Sequence, residues 1–256
     1  MQFTDTHCHI HIDDYPLDAE EVMANAKRVG VDRLLVVGCT LQDSQSAVAF
    51  AAKHNDVWAS VGLHPHEAHN YTDDADQLAK FAALASQPKV VAIGECGLDY
   101  YYNHSPKDAQ NTLLRFQLEL AQQHNLPLIF HVRDAFKDFW PIFDEFKGLR
   151  GVVHSFSATT TELDQILERD LLVGLNGIMT FTKNENQLEA AKAVPLEKIV
   201  LETDAPFLTP APFRGKVCEP KHVRVSAEFL SRLRGESLED FAAATTRNAG
   251  QLFKLS

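Results

Sequence analysis

The sequence predicts a single-domain α/β protein, a (β/α)8 TIM barrel with a metal site at the C-terminal ends of its strands. Three observations predict it. Eight short β-rich runs alternate with amphipathic stretches from one end of the chain to the other. Strands separated by crossover helices pair in parallel. At roughly 30 residues per right-handed step, eight steps need about 250 residues, and the chain has 256. No Pro/Ser/Gly-rich linker, low-complexity tract or short repeat divides it, so one domain over residues 1–256 is expected. An open doubly wound sheet is the structural alternative.

In chain order the strands are expected at Gln2–Thr6, Arg33–Gly38, Val57–Gly62, Lys89–Glu95, Pro127–His131, Gly151–His154, Leu171–Asn176 and Lys198–Glu202. Helical patterns fall between them at Asp18–Val29, Gln42–Lys53, Asp108–His124, Ala135–Phe146 and Thr160–Arg169. Asp108–His124 sets Leu113, Leu114, Phe116, Leu118, Leu120 and Ala121 among polar residues, the spacing of a long helix with a broad buried face. The tail from Lys221 to Phe253 reads as two more helices, with Ser237-Leu238-Glu239-Asp240 as the capping start of the second.

Composition excludes several classes. Hydrophobic residues make up 45% and charged residues 23%, which rules out a disordered chain, a collagen-like fibre and a small disulfide scaffold. No apolar run approaches the roughly 18–20 residues that span a bilayer. Met1–His7 has neither a basic leader nor an apolar signal core, so a cytoplasmic protein with no membrane partner is expected. Cys8, Cys39, Cys96 and Cys218 form no C-x-x-C pair. A net charge of −11 argues against coating nucleic acid non-specifically, because such binding neutralises many phosphates. It leaves room for a basic rim around an active site.

Twelve histidines carry most of the chemical information. His7 and His9 end the first strand, where residues two apart project to one face while Cys8 turns away. Two imidazoles on one face begin a metal site, although alone such a pair reads more often as polar residues at a strand end. Glu95 ends the fourth strand, His131 the fifth and His154 the sixth, and Glu202 and Asp204 close the eighth. In a (β/α)8 barrel all C-terminal strand ends open onto one face. Alternation agrees in phase: Val91, Ile93 and Glu95 share a face, as do Ile129, His131 and Arg133, then Val152 and His154, then Val200, Glu202 and Asp204.

The motifs Asp5-Thr6-His7-Cys8-His9, Gly62-Leu63-His64-Pro65, Gly94-Glu95-Cys96-Gly97-Leu98-Asp99-Tyr100-Tyr101, His131-Val132-Arg133, His154-Ser155-Phe156 and Leu201-Glu202-Thr203-Asp204-Ala205-Pro206 resemble the TatD family of metal-dependent deoxyribonucleases, within the amidohydrolase-like superfamily. The likeness runs from Asp5 to the C-terminus in order, including Arg214-Gly215-Lys216 and Thr246-Arg247-Asn248. It implies two divalent metal ions, Mg, Mn or Zn. His7, His9, Glu95 and Asp204 would hold the first; Glu95 would bridge to the second, completed by His131 and His154. A bridging carboxylate suits the separation of about 3.5–4 Å in two-metal hydrolytic sites.

The resemblance further implies catalytic roles for Asp204 (orienting or deprotonating water) and for His64 (hydrogen-bonding a phosphoryl oxygen or protonating a leaving group), with a loop histidine rigidified by Pro65 as the alternative for His64. Glu202 is a third catalytic candidate, as a partner behind a ligating histidine, with a buried structural carboxylate as its alternative. His66 and His69 read as surface residues, and His11, His54, His104, His124 and His222 as ordinary ones. Cys96 stands where the family has an aliphatic residue or threonine, and alternation points it away from the metals. Cys218 and Glu219 depart from an asparagine that often precedes the Pro220 equivalent, which bears on rim contacts only.

Arg133, Arg214 and Lys216 are expected to bind substrate, since guanidinium forks match phosphate oxygens. Lys183 and Lys221 read as solvated charges. Tyr100, Tyr101 and Tyr102 offer either a stacking surface for a base or packing beneath a loop. The expected activity is metal-dependent phosphodiester hydrolysis at a DNA end, as a 3′→5′ exonuclease on single-stranded or frayed DNA. The partner is then a DNA end or other phosphodiester substrate, with no obligate protein partner. The alternatives are an ester or amide hydrolase on the same centre, acting on aminoacyl-RNA or a small cyclic amide, and a non-catalytic metal-containing binding module.

Overall fold

The structure, a computed structural model, describes residues 1–102 and 104–255. The chain runs β1 (Phe3–Cys8), α1 (Ala19–Arg28), β2 (Val31–Val37), α2 (Leu41–Ala51), β3 (Val57–Val61), α3 (Ala75–Ala82), β4 (Val90–Asp99), α4 (Lys107–His124), β5 (Leu128–Arg133), α5 (Phe136–Phe143), β6 (Gly151–Val153), α6 (Thr160–Glu168), β7 (Leu172–Leu175), α7 (Glu185–Ala193), β8 (Ile199–Leu201), α8 (Val223–Arg234) and α9 (Leu238–Phe253). Strand order follows chain order from β1 to β8. β1 pairs with β2, β3 to β6 pair in succession, and β7 pairs with β8, all in parallel.

Each expected strand is present, with shifted ends that bear on the site: β1 continues past Thr6 to Cys8 and so includes His7, and β6 stops at Val153, one residue before His154. β4 continues past Glu95 to Asp99, and β5 continues past His131 to Arg133. β8 stops at Leu201, so Glu202 and Asp204 stand in the segment after it. The chain divides into two compact units, Met1–Val36 with His154–Ser256, and Val37–Val153.

In the first unit β1 is buried along its whole length, as a strand covered on both faces must be. Helix α9 anchors its neighbours through polar side chains. Asn248 Nδ2 donates to the carbonyls of Leu196 (2.9 Å) and Ile199 (2.8 Å), fixing the start of β8. Thr246 Oγ1 donates to the Gln2 carbonyl at 3.0 Å, ahead of β1. The Thr246-Arg247-Asn248 motif is thus a structural clamp. Ser237 caps α9 by accepting from the Asp240 amide, as its sequence predicts.

In the second unit two fully buried glutamines on α4 do similar work. Gln117 pairs reciprocally with the backbone of Leu63, both bonds 2.9 Å, and so fixes the turn that carries His64. Gln110 Oε1 accepts from the Asp99 amide at 2.8 Å, while its Nε2 donates to the carbonyls of Asp99 (3.1 Å) and Ser105 (2.9 Å). Beneath β5, Phe130 packs against Phe139 and Phe143 of α5, with ring centroids 5.2 and 5.7 Å apart. Buried rings of this kind remove the most area from water per residue and hold the strand that carries His131.

Candidate metal centre

The first unit brings His7, His9, His154, Glu202 and Asp204 together. Two backbone bonds join the end of β1 to the segment after β8: the Asp204 amide donates to His7 O at 2.8 Å, and the His9 amide to Ala205 O at 2.7 Å. Asp204 takes a φ of +63°, which Asp tolerates better than bulkier residues. Its Oδ1 lies 3.6 Å from His7 Nε2 and 3.3 Å from His9 Nε2. Those two nitrogens are 3.1 Å apart. His154 stacks on His7 with centroids 4.1 Å apart. All three imidazoles are buried.

Two carboxylates stand behind these histidines. Glu202 Oε1 accepts from the Ser155 amide (2.6 Å) and Asn176 Nδ2 (3.2 Å), and lies 3.6 Å from His154 Nδ1. Its Oε2 is buried with no hydrogen-bond partner among the described residues. Gly174 makes room for this carboxylate, because a Cβ there would stand 2.3 Å from Oε2. Asp5 Oδ1 accepts from the amides of His7 (3.3 Å) and Thr203 (2.9 Å), and its Oδ2 bonds the Thr203 hydroxyl at 2.6 Å. Burial pushes the Asp5 carboxyl up to about 8 against the lowering effect of those bonds. Burial also raises Asp204, but the bond from His9 and the charges of His7, His9 and His154 outweigh it and hold Asp204 below the ordinary range.

The second unit builds its cluster from His64, Glu95, Asp99 and His131. Glu95, buried on β4, has Oε1 2.7 Å from His131 Nδ1 and 3.4 Å from His64 Nε2. Its Oε2 receives the Cys39 thiol at 3.8 Å. On the other side of the His131 ring, Nε2 stands 3.0 Å from Asp99 Oδ2. The same oxygen is 2.9 Å from His66 Nε2. Burial raises the Asp99 carboxyl, yet the bonds from His131, the Tyr102 amide and His66 bring it well below the usual carboxylate range.

His64 is oriented by its own turn. Its Nδ1 accepts from the His66 amide at 3.2 Å as the cap of the 3-10 turn Pro65–Asn70. The remaining proton of a neutral imidazole is therefore on Nε2, which faces Glu95. Burial is the main influence lowering His64 to about 4, so the ring is neutral at physiological pH.

These donors fit divalent cations. A neutral imidazole has one N–H, yet His131 presents both nitrogens to carboxylate oxygens within 3.0 Å. With the proton on Nε2 facing Asp99, Nδ1 and Glu95 Oε1 are two acceptors in contact, an arrangement that a cation or a second proton relieves. Ligand atoms of His7, His154 and Glu202 lie within 4.8 Å of one another, and so do those of His64, Glu95 and His131.

Asp99 and His66 join this cluster, although the sequence pattern did not single them out as site residues. His66 is not simply a surface histidine; it is half-buried and shares Asp99 with His131. His69 is exposed, as expected, with Nδ1 2.6 Å from Ser105 Oγ. The available signal was the alternation Glu95, Gly97, Asp99, obscured because the strand was ended at Glu95. Cys96 faces away, with its thiol 3.7 Å from the Ile129 carbonyl, as alternation predicts. Arg133 ends β5 and lies over Tyr101 and Tyr102. Arg214 donates to the Thr209 carbonyl at 2.8 Å and lies over Phe181, and the exposed Lys216 stands near the Phe213 ring.

Asp99 is placed to orient His131, as a carboxylate behind a histidine ligand would. Asp99→Asn is expected to keep the fold and to lower divalent-metal affinity roughly 10–100-fold, read by isothermal titration calorimetry. Unchanged affinity would show that the His131 orientation does not depend on this carboxylate.

A (β/α)8 fold with histidine–carboxylate groups at its strand ends defines a metal-dependent hydrolase. The TatD related DNase family model matches residues 4–254, and the chain belongs to that family. An uncharacterized metal-dependent hydrolase of Bacillus subtilis, YabD, is 37% identical over 254 residues, covering 98% of this chain and 99% of the relative. The 3′-5′ ssDNA/RNA exonuclease TatD of Citrobacter rodentium is 35% identical over 246 residues, covering 93% of each. The crystal structure of a TatD family hydrolase from Entamoeba histolytica superposes with a TM-score of 0.90 at 25% identity, over 100% of this chain and 99% of that one. The fold and the family are those the motifs imply. No helix among the described residues is long and apolar enough to cross a membrane.

Proposed function

We propose that the protein removes nucleotides from the 3′ end of single-stranded or frayed DNA by phosphodiester hydrolysis. In this reading two divalent ions are bound, the first by His7, His9, Glu95 and Asp204, the second by Glu95, His131 and His154. The observation that carries it is that the clusters His7–His9–His154–Asp204 and Glu95–His131 together hold every residue of that set, in a chain of this family. The exonuclease activity of the Citrobacter relative supports the substrate class and polarity.

Bound divalent ions supply the charge that activates water near neutral pH and offsets the developing charge on phosphoryl oxygens. The chain's own residues do the rest. Asp204, held as a carboxylate, accepts the proton of the attacking water. His64 offers its Nε2–H to a phosphoryl oxygen, a hydrogen-bonding role that a neutral ring can fill throughout the physiological range. Glu202 and Asp99 orient His154 and His131 from behind. Arg133, Arg214 and Lys216 contact the substrate's phosphates.

An end-labelled single-stranded oligonucleotide tests the reading, incubated with chelator and then with Mg, Mn or Zn restored singly. Chelation is expected to stop hydrolysis, and at least one metal to restore a ladder that shortens from the 3′ end. An intact oligonucleotide with every metal, alongside turnover of an ester or amide, would transfer the centre to that chemistry.

A further inference from the structure

Two of the most exposed large side chains in the second unit follow Asp99 directly. Tyr101 is 59% exposed and Tyr102 50%, which excludes packing beneath a loop. Both backbone amides donate to Asp99 Oδ1 at 3.0 Å, so the turn presenting the rings is fastened to the carboxylate that faces His131. The rings meet edge to face with centroids 4.8 Å apart. Arg133, the register partner of Asp99, places its guanidinium carbon 4.3 Å from the Tyr101 centroid and 4.7 Å from that of Tyr102. Tyr102 in turn lies nearly parallel to His104, at 5.8 Å and 17°.

We propose that Tyr101, Tyr102 and Arg133 form a stacking shelf for an unpaired nucleobase of a single-stranded nucleic-acid substrate, next to His131. The proposal rests on the phosphodiesterase reading for its substrate class. Base stacking on an aromatic face needs no particular sequence, as an enzyme that shortens any strand requires. It also answers an electrostatic difficulty. A chain of net charge −11 cannot hold a polyanion by broad attraction, so contacts with uncharged bases must contribute much of the grip. Arg133 suits the edge of such a shelf, because a guanidinium packed on a ring keeps N–H groups in its plane for a phosphate. Duplex DNA, whose bases are stacked internally, cannot use the shelf without fraying.

The test is photocrosslinking of an oligodeoxynucleotide carrying 5-iodouracil at its 3′-terminal positions to the full chain in chelator, with adducts mapped by mass spectrometry. The expected adducts are on Tyr101 or Tyr102. In matched digestions with metal, abasic residues at those positions are expected to raise KM roughly tenfold, with a smaller change in kcat. Tyr101→Leu/Tyr102→Leu is expected to bring KM for the ordinary strand to the abasic value, while Tyr101→Phe/Tyr102→Phe retains the preference. Adducts elsewhere, or equal KM for both strands in a protein that ladders the oligonucleotide, would overturn the shelf. Adducts on these tyrosines in a protein that leaves the strand intact with every metal would keep the shelf and remove the nuclease reading.

Discussion

Glu95→Gln is expected to abolish hydrolysis, by at least about 10^3-fold, while the protein remains folded. Glutamine has the shape of glutamate, so its packing among His64, His131 and Cys39 survives. What is lost is the negative charge that two ions would share. If Glu95 bridges two ions as proposed, the substitution would weaken both and forfeit several kcal/mol of transition-state stabilisation, and each 1.36 kcal/mol is tenfold in rate. A second measurement separates lost chemistry from lost structure. A metal present at a hundred times its Kd stabilises the folded chain by about 2.7 kcal/mol, which thermal melting detects. The wild type is expected to show that metal-dependent rise in Tm and Glu95→Gln to lose most of it, with similar melting in chelator. A variant that still ladders oligonucleotide at the wild-type rate would show that Glu95 is not the bridging ligand.

The candidate metal-ligating positions were legible in the sequence because strand geometry and chemistry point the same way. A polar residue at the end of an apolar alternating run, as at His7, His131 and His154, has no packing reason to be there. Glu202 and Asp204 were found by the same rule, although they stand beyond β8, because the turn after the strand keeps their carboxylates beside the histidines. The partners behind the ligands were less legible. Asn176 bonds Glu202, and Thr203 bonds Asp5, through contacts that no periodicity announces. Gln110 and Gln117 look like solvent-facing helix residues, yet both are fully buried because they satisfy backbone groups of the turns they clamp. The role of the tyrosine run stayed open because exposure is a tertiary property, decided by how Asp99 captures the two amides.

Gly97→Ala is expected to fail for the opposite reason to Glu95→Gln: the fold would suffer and the ligand atoms would be untouched. Gly97 pairs with His131 in the β4–β5 register and has φ +150°, which L side chains rarely adopt. A Cβ there would stand 1.9 Å from the His131 carbonyl oxygen, and that oxygen is backbone, so no rotamer change relieves the contact. The strands must separate at the residue pair that positions His131. Overpacking against a rigid neighbour costs about 1–3 kcal/mol and the strained backbone about 1–3 more, which for a chain of this length lowers Tm by roughly 4–24 °C. Thermal melting in chelator reads this directly, since no metal contributes there. Within the Gly94–Asp99 motif, Glu95 is then a residue whose loss leaves Tm in chelator and removes turnover, and Gly97 one whose loss lowers Tm first. Wild-type melting of Gly97→Ala would mean that β4 and β5 can part at His131 without cost, and the close approach of the two strands would no longer explain why a residue without a side chain stands between Glu95 and Asp99.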